Sequence, residues 1–107
     1  MIAATTDSIP GKRITEVLGV VRGASVRAIP ASGDIIAFMK NLVGGELEEY
    51  TKMGAEAREQ AYDRMMAQAE SLGANAVVGV RFTACMIAAG ANEMICYGTA
   101  VVVEDEK

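Results

Sequence analysis

The sequence predicts a single α+β domain in which an antiparallel sheet packs against one long helix. One long segment has apolar residues at helical spacing, and the segments before and after it are rich in β-branched residues. The chain has 107 residues, which is close to the usual size of one domain. We therefore expect residues 1–107 to form one domain with the element order β-β-α-α-β-β and the helices on one side of the sheet.

Two strands are predicted before the helices. Residues 2–6 form a short candidate strand, and a turn sequence around Pro10 and Gly11 ends it. Residues 12–27 read as a long strand. Glycines at positions 19 and 23 interrupt it, which indicates a bulge, a bend or the close approach of another backbone.

Two helices are predicted next, a short one at residues 35–42 and a long one at residues 46–72. Acidic residues crowd the first turn of the long helix, as the helix dipole favours, and Gly73 follows its end. Its apolar residues recur every three or four positions and form one stripe, and many of them are small, so the helix can lie close to a sheet. The stripe consists of Leu47, Tyr50, Gly54, Ala57, Ala61, Met65, Ala69 and Leu72.

The C-terminal part predicts a β-hairpin with arms at residues 75–88 and 93–103, joined around Gly90. Only Arg81 and Glu93 are charged in this hairpin. An antiparallel sheet with one face in water normally alternates polar and apolar residues, and these arms do not. One helix can cover only one face of the sheet, so we expect the second face to be covered as well, by other copies of the chain.

The composition argues against several classes of function. Ten basic residues stand against 14 acidic ones, so the net charge is −4 and binding to nucleic acid is not expected. No apolar run approaches the roughly 18–20 residues that span a membrane, and the first residues do not resemble a secretory signal, so we expect a cytoplasmic protein with reduced cysteines. The chain has no histidine, which removes most acid–base and nucleophilic mechanisms, so an enzyme is not expected.

The two cysteines supply the candidate metal site. If Gly90 and Ala91 form a two-residue turn, Cys85 lies directly opposite Cys96, with Cβ atoms about 4.5–5.5 Å apart. Two facing thiolates suit a soft ion such as Cu(I) or Zn(II). The alternative is that both cysteines are small buried hydrophobic residues. A change of one residue in the turn would also place Cys85 opposite Tyr97.

Other candidate residues have simpler explanations. Met86 and Met94 are potential thioether ligands in the hairpin, but alternating methionines are more often part of a core. Gly44 and Gly45 precede a helix and could bind an anion through backbone N–H groups, but three glutamates follow them, which favours a tight turn. The acidic residues of the long helix are interspersed with basic ones, as on a solvated surface.

Four stretches of the sequence and one single residue carry a resemblance to a known family: residues 19–23, 42–45, 72–80 and 98–101, together with Tyr50. They resemble the YbjQ-like family of small bacterial and archaeal proteins, catalogued as heavy-metal-binding, and the resemblance covers nearly the whole chain. It implies a dodecin-like α+β subunit assembled as a homopentameric ring. Family members often carry an alternation of acidic residues on one strand where this chain has Arg81, Thr83 and Cys85, so a site for a hard metal is not implied here.

The leading functional hypothesis is a non-enzymatic, ring-forming homo-oligomer. The first alternative is a protein that binds a soft heavy metal through Cys85 and Cys96. The second, which follows from the dodecin-like fold implied by the resemblance, is a flavin-like ligand held between subunits; the absence of tryptophan argues against it.

Overall fold

The computed structural model describes residues 1–28, 48–88 and 90–106. The α+β class is confirmed. The short helix predicted at residues 35–42, and Gly44 and Gly45, lie outside the described residues. The described elements, in chain order, are β1 (Ile2–Ala3), β2 (Lys12–Ala28), α1 (Glu48–Ser71), β3 (Ala76–Ala88) and β4 (Ala91–Asp105).

The four strands form one mixed sheet with the order β1-β3-β4-β2. β4 runs antiparallel to both of its neighbours, β3 and β2. β1, however, pairs parallel to β3, with Ala4 N donating to Val77 O at 2.9 Å. The prediction of an antiparallel sheet is therefore wrong at this edge. β2 and α1 separate β1 from β3 in the chain, and a connection of that length can bring two strands together in the same direction.

β2 contains two register shifts against β4, and the glycine at position 19 predicted one of them. Its register against β4 shifts once between Ile14 and Glu16 and again between Val17 and Gly19. Gly19 has a φ of +122°, in the region that favours glycine. The strand continues past both bulges to Ala28, so the predicted long strand is confirmed.

The predicted small-residue stripe packs α1 closely onto β2. Ala57, Ala61, Met65 and Ala69 are buried. A Cβ atom added at Gly23 would overlap the backbone of α1 and lie 2.8 Å from the Arg64 Cβ. Gly23 is therefore the place where the helix and strand backbones meet. Among the stripe residues whose side chains the structure describes, the prediction failed at Leu72, which is exposed. Leu47 and the side chain of Tyr50 lie outside the described part of the chain.

A Schellman motif ends α1 and explains the exposure of Leu72. Ala74 N donates to Ala69 O at 3.1 Å, and Gly73 N donates to Glu70 O at 3.0 Å. Gly73 has a φ of +89°, as the C′ position of this motif requires, which confirms the predicted helix stop. The motif turns the chain so that Ala74, rather than Leu72, enters the core.

Buried residues lie on both sides of the sheet. On the side of α1, the core contains Val21, Met65, Val77 and Cys96. On the other side, a smaller cluster around Val101 is partly covered by Ile9 and Ile14 of the N-terminal region. α1 lies mainly over β2 and contacts β3 very little, so the end of the hairpin extends beyond the helix.

Candidate functional site

The structure does not bring Cys85 and Cys96 together. Across the hairpin, Cys85 pairs with Glu93, and Cys96 pairs with Phe82. Successive side chains of a strand alternate between the two faces, and Phe82 and Cys85 are three positions apart. The two cysteines therefore lie on opposite faces of the sheet. The predicted register is wrong, and the two-thiol site that depended on it is not formed within the chain.

Two local features shift the register by three residues. β3 ends at Ala88 and β4 begins at Ala91, so these two residues pair and the turn comes one residue earlier than predicted. Gly90, in that turn, has a φ of +78°. The register then shifts again between Met86 and Ala88, which marks a β-bulge at Ile87. The total shift is odd, and an odd shift exchanges the faces of a strand.

Cys96 is a core residue. It is fully buried, and its Sγ lies 3.5 Å from the Sδ of Met65. Burial raises the pKa of the Cys96 thiol, because an apolar environment disfavours the thiolate. Cys85, by contrast, is exposed. One thiol is accessible in the subunit and the other is protected.

The described residues contain no cluster of the side chains that usually bind metal ions. No three histidine, cysteine, aspartate or glutamate side chains converge within residues 1–28, 48–88 and 90–106. In the same ranges, no helix is both long enough and apolar enough to cross a membrane.

The face of the sheet turned away from α1 is largely apolar. Outside the smaller core cluster around Val101, this face is exposed. Val17, Val20 and Val26 of β2 are 65%, 75% and 54% exposed, and Tyr97 of β4 is 40% exposed. We call this surface the open sheet face. By strand alternation and cross-strand pairing it comprises Val17, Val20, Arg22, Ala24, Val26, Arg81, Thr83, Cys85, Glu93, Ile95, Tyr97 and Thr99.

Two arginines flank Tyr97 on the open sheet face. Tyr97 pairs with Arg22 on β2 and with Arg81 on β3, so the three side chains form one row across the sheet. Arg81 donates to Thr5 O at 2.7 Å and holds the N-terminal region against the sheet. Neither arginine forms an ion pair with a carboxylate among the described residues.

A cleft of about 380 Å³ lies between the first half of α1 and the end of the hairpin, and we call it the distal cleft. Cross-strand pairing places Arg27, Asn92 and Met86 in one row of its floor. Met53, Gly54 and Ala57 of α1 form its roof, while Ala84 and Met94 complete the floor. No sequence pattern indicated this cleft, because its residues come from four elements and only the strand register places them together.

Comparisons with known proteins identify the family. The YbjQ-like family, described as "Putative heavy-metal-binding", matches residues 1–104. A UPF0145 protein of Clostridium perfringens is 53% identical over 105 residues, which cover 98% of this chain and 99% of that protein. A UPF0145 protein of Methanosarcina acetivorans is 52% identical over 103 residues, which cover 96% and 97% of the two chains.

A solved structure supports the fold. The crystal structure of a protein of unknown function from Pediococcus pentosaceus, assigned to the DUF74 family, matches with a TM-score of 0.67 and 18% identity. The match covers 97% of this chain and 98% of that one. At this identity the likeness concerns the fold alone, and the dodecin-like description stays an expectation from the resemblance. From the family match and the two close relatives, we conclude that the chain belongs to the YbjQ-like family of UPF0145 proteins.

Proposed function

We propose that this protein acts as a non-enzymatic homo-oligomer in which neighbouring copies cover the open sheet face. The observation that carries the proposal is the exposure of Val17, Val20 and Val26 on one continuous surface. Contiguous apolar surfaces on soluble domains mark sites of association, because covering them removes apolar area from water. The hairpin that forms much of this surface contains only two charged residues.

Charge complementarity favours a second copy as the partner. Arg22 lies in the open sheet face without a carboxylate partner among the described residues, and burying it requires a negative charge opposite. The outer surface of α1 offers such charges at helical spacing, on the exposed residues Glu56, Glu59, Asp63 and Glu70. A contact between the sheet of one copy and the helix of the next is heterologous, and such contacts form a ring when the rotation between copies closes and a filament when it does not. The homopentamer implied by the family resemblance is our proposed stoichiometry.

Native mass spectrometry tests the assembly. We expect wild-type protein at micromolar concentration to be an oligomer, with five copies as the main species. Val20→Glu places a charge in the open sheet face at a position that is 75% exposed in the subunit, so it should release folded monomers. Leu72→Glu is the matched control, since Leu72 is 47% exposed but lies outside that face, and it should leave the oligomer intact. A monomeric wild-type protein refutes the proposal.

A mixing experiment tests which surfaces meet. Asp63→Arg alters the helix surface and Val20→Glu alters the sheet face, so each variant keeps one intact surface. If the contact is sheet to helix, each variant alone is monomeric, and an equal mixture forms a heterodimer and nothing larger. If two open sheet faces meet each other instead, Asp63→Arg assembles like the wild type.

The second candidate function is binding of a soft heavy metal, and the description of the matched family supports it. We propose that Cys85 supplies the thiolate, because it is exposed on the open sheet face, where assembly would bring copies of the chain close together. Cu(I) and Zn(II) are the ions that fit sulfur ligands. A cytoplasmic location, in which the thiol stays reduced, is part of this proposal.

Anaerobic competition against a Cu(I) chelator tests the metal proposal. Cys85→Ser should abolish tight binding. Cys96→Ala should retain it, because the Cys96 thiol is buried and its pKa is raised. Equal affinity for Cu(I) in wild type and Cys85→Ser would show that the Cys85 thiolate is not a ligand.

A further inference from the structure

We propose that the distal cleft binds a small organic anion with an apolar body, and that Arg27 pairs with its anionic group. The cleft lies within one subunit, between α1 and the side of the sheet that α1 covers, so this proposal goes beyond the proposed assembly through the opposite face. Its volume of about 380 Å³ is at the lower end of the range for small-molecule sites.

Arg27 is the charged group in the floor of the cleft, and its hydrogen bonding is incomplete. Its Nε is buried and has no hydrogen-bond partner in the described part of the chain. Among the described residues its Nη2 donates only to Gln60 Oε1, at 3.4 Å, and that oxygen already accepts a hydrogen bond of 2.7 Å from Ser25. A buried donor of a charged group is costly when left unpaired. An anion in the cleft would supply the missing acceptor.

The remaining walls are suited to an apolar body. Three methionines line the cleft, Met53 from α1, Met86 from β3 and Met94 from β4, together with two alanines. Methionine side chains are flexible and polarisable, so they adapt to ligands of different shape. Met86 is 71% exposed, so a ligand there would remove a large apolar side chain from water.

The charge of Arg27 decides between two ligand classes. Thioethers also bind soft cations, so the three methionines alone would suit Cu(I). The guanidinium of Arg27 is always positive, however, and its repulsion disfavours a cation in the same cleft. Cys85 and Glu93 border the cleft, but strand alternation directs their side chains to the open sheet face. The cleft therefore presents one positive group among apolar side chains, which favours an anion.

Methionine methyl NMR with octanoate as the probe tests the proposal. We expect saturable shifts of the methyl resonances of Met53, Met86 and Met94. Met66 is the internal control, because it packs against the main core and does not line the cleft. 1-Octanol has the same chain length without the charge and should bind about tenfold more weakly or worse, since a charge-assisted hydrogen bond is lost.

Two variants make the test specific. Arg27→Gln should remove the preference for octanoate over 1-octanol, whereas Arg13→Gln should keep it, because Arg13 pairs with Glu104 at the other end of β2. Ala84→Phe fills the cleft from an exposed position and should abolish the shifts. Val20→Glu should bind octanoate like the wild type even if it is monomeric, which separates this proposal from the assembly. No saturable shifts, equal binding of the two probes, or unchanged binding by Arg27→Gln overturns the proposal.

Discussion

The closest contact between helix and sheet predicts that Gly23→Ala destabilises the protein strongly. The new Cβ atom would lie 2.8 Å from the Arg64 Cβ and would overlap the backbone of Ala61 and Met65. A clash with a flexible side chain is relieved by a change of rotamer, but a clash with a helix backbone is not. The whole of α1 must move away from β2 at this point.

The size of the effect follows from that movement. Carbon atoms in contact are about 3.5–4.0 Å apart, so α1 must shift outward by roughly 1 Å. A gap of that size forfeits up to about half of the dispersion attraction of the atoms that face it. Ala61 and Met65 are fully buried at this contact, so little of the loss can be recovered. We expect Gly23→Ala to lower the free energy of unfolding by about 3 kcal/mol, which is in the upper part of the usual range for an overpacked core.

Urea unfolding followed by circular dichroism measures the change, at one protein concentration for all variants. A loss of about 3 kcal/mol corresponds to a decrease in Tm of about 12 °C for a domain of this size. Gly54→Ala is the matched control, since Gly54 lies in the interior of α1 and an added Cβ there meets nothing within 4 Å. The control should stabilise the protein by about 0.5–1 kcal/mol, because alanine favours the helix over glycine.

The packing argument requires that Gly23→Ala and Gly54→Ala change the free energy of unfolding in opposite directions, and two results would refute it. If Gly23→Ala changes the free energy of unfolding by less than about 0.5 kcal/mol, the surface-substitution range, then α1 and β2 are not in backbone contact at this point. If both variants are destabilised equally, the effect belongs to alanine substitution in general and the packing argument fails.

Three further predictions concern single groups. A thiol reagent should modify Cys85 in the native protein but Cys96 only after unfolding, and thiol counting checks this. Because burial raises the pKa of Cys96, the stability that its neutral thiol contributes should be fully present below the pKa of the unfolded thiol. That stability should be lost as the pH rises through the folded pKa, which unfolding at alkaline pH measures. The hydrogen bond from Lys12 and its charge lower the pKa of Asp105, so NMR titration should find this pKa below its ordinary value. Lys12→Gln should restore the ordinary pKa. The stability that the pair contributes should be lost as the pH falls through the folded pKa of Asp105. Met65→Ala should cost about 2–5 kcal/mol in urea unfolding, because the side chain is fully buried.

The fold was predictable where local sequence determines local structure. The periodic alanines of α1 identified the helix, because their spacing follows the helical period, and they are buried as that pattern indicated. The glycine at position 73 identified the end of the helix, because the hydrogen bonds of the Schellman motif join residues at most five positions apart. β1 was predicted as a strand, but the predicted antiparallel direction was wrong. Parallel pairing with β3 depends on where a distant segment arrives, which no local pattern encodes.

The candidate site was predictable only in part, because a strand register depends on every residue between the turn and the site. A turn one residue earlier and a bulge at Ile87 were sufficient to move Cys85 from Cys96 to Glu93. Neither feature has a sequence signal as clear as Asn-Gly in a tight hairpin turn. Arg27 was missed for the same reason, since its position beside Asn92 and Met86 follows from the register of three strands.

The length of the hairpin connects the fold to the proposed assembly. The described structure extends 59 Å along its longest axis, with a radius of gyration of 17.8 Å, compared with about 13 Å for a compact domain of this length. Residues 81–88 of β3 are all exposed, and α1 contacts β3 very little. Strands need a covered hydrophobic face to be stable in water, and residues 1–28, 48–88 and 90–106 cover little of either face at this end. A ligand in the distal cleft would cover the side of the hairpin that faces α1, and a neighbouring copy would cover the open sheet face. The two proposals together would therefore bury both faces of the hairpin end.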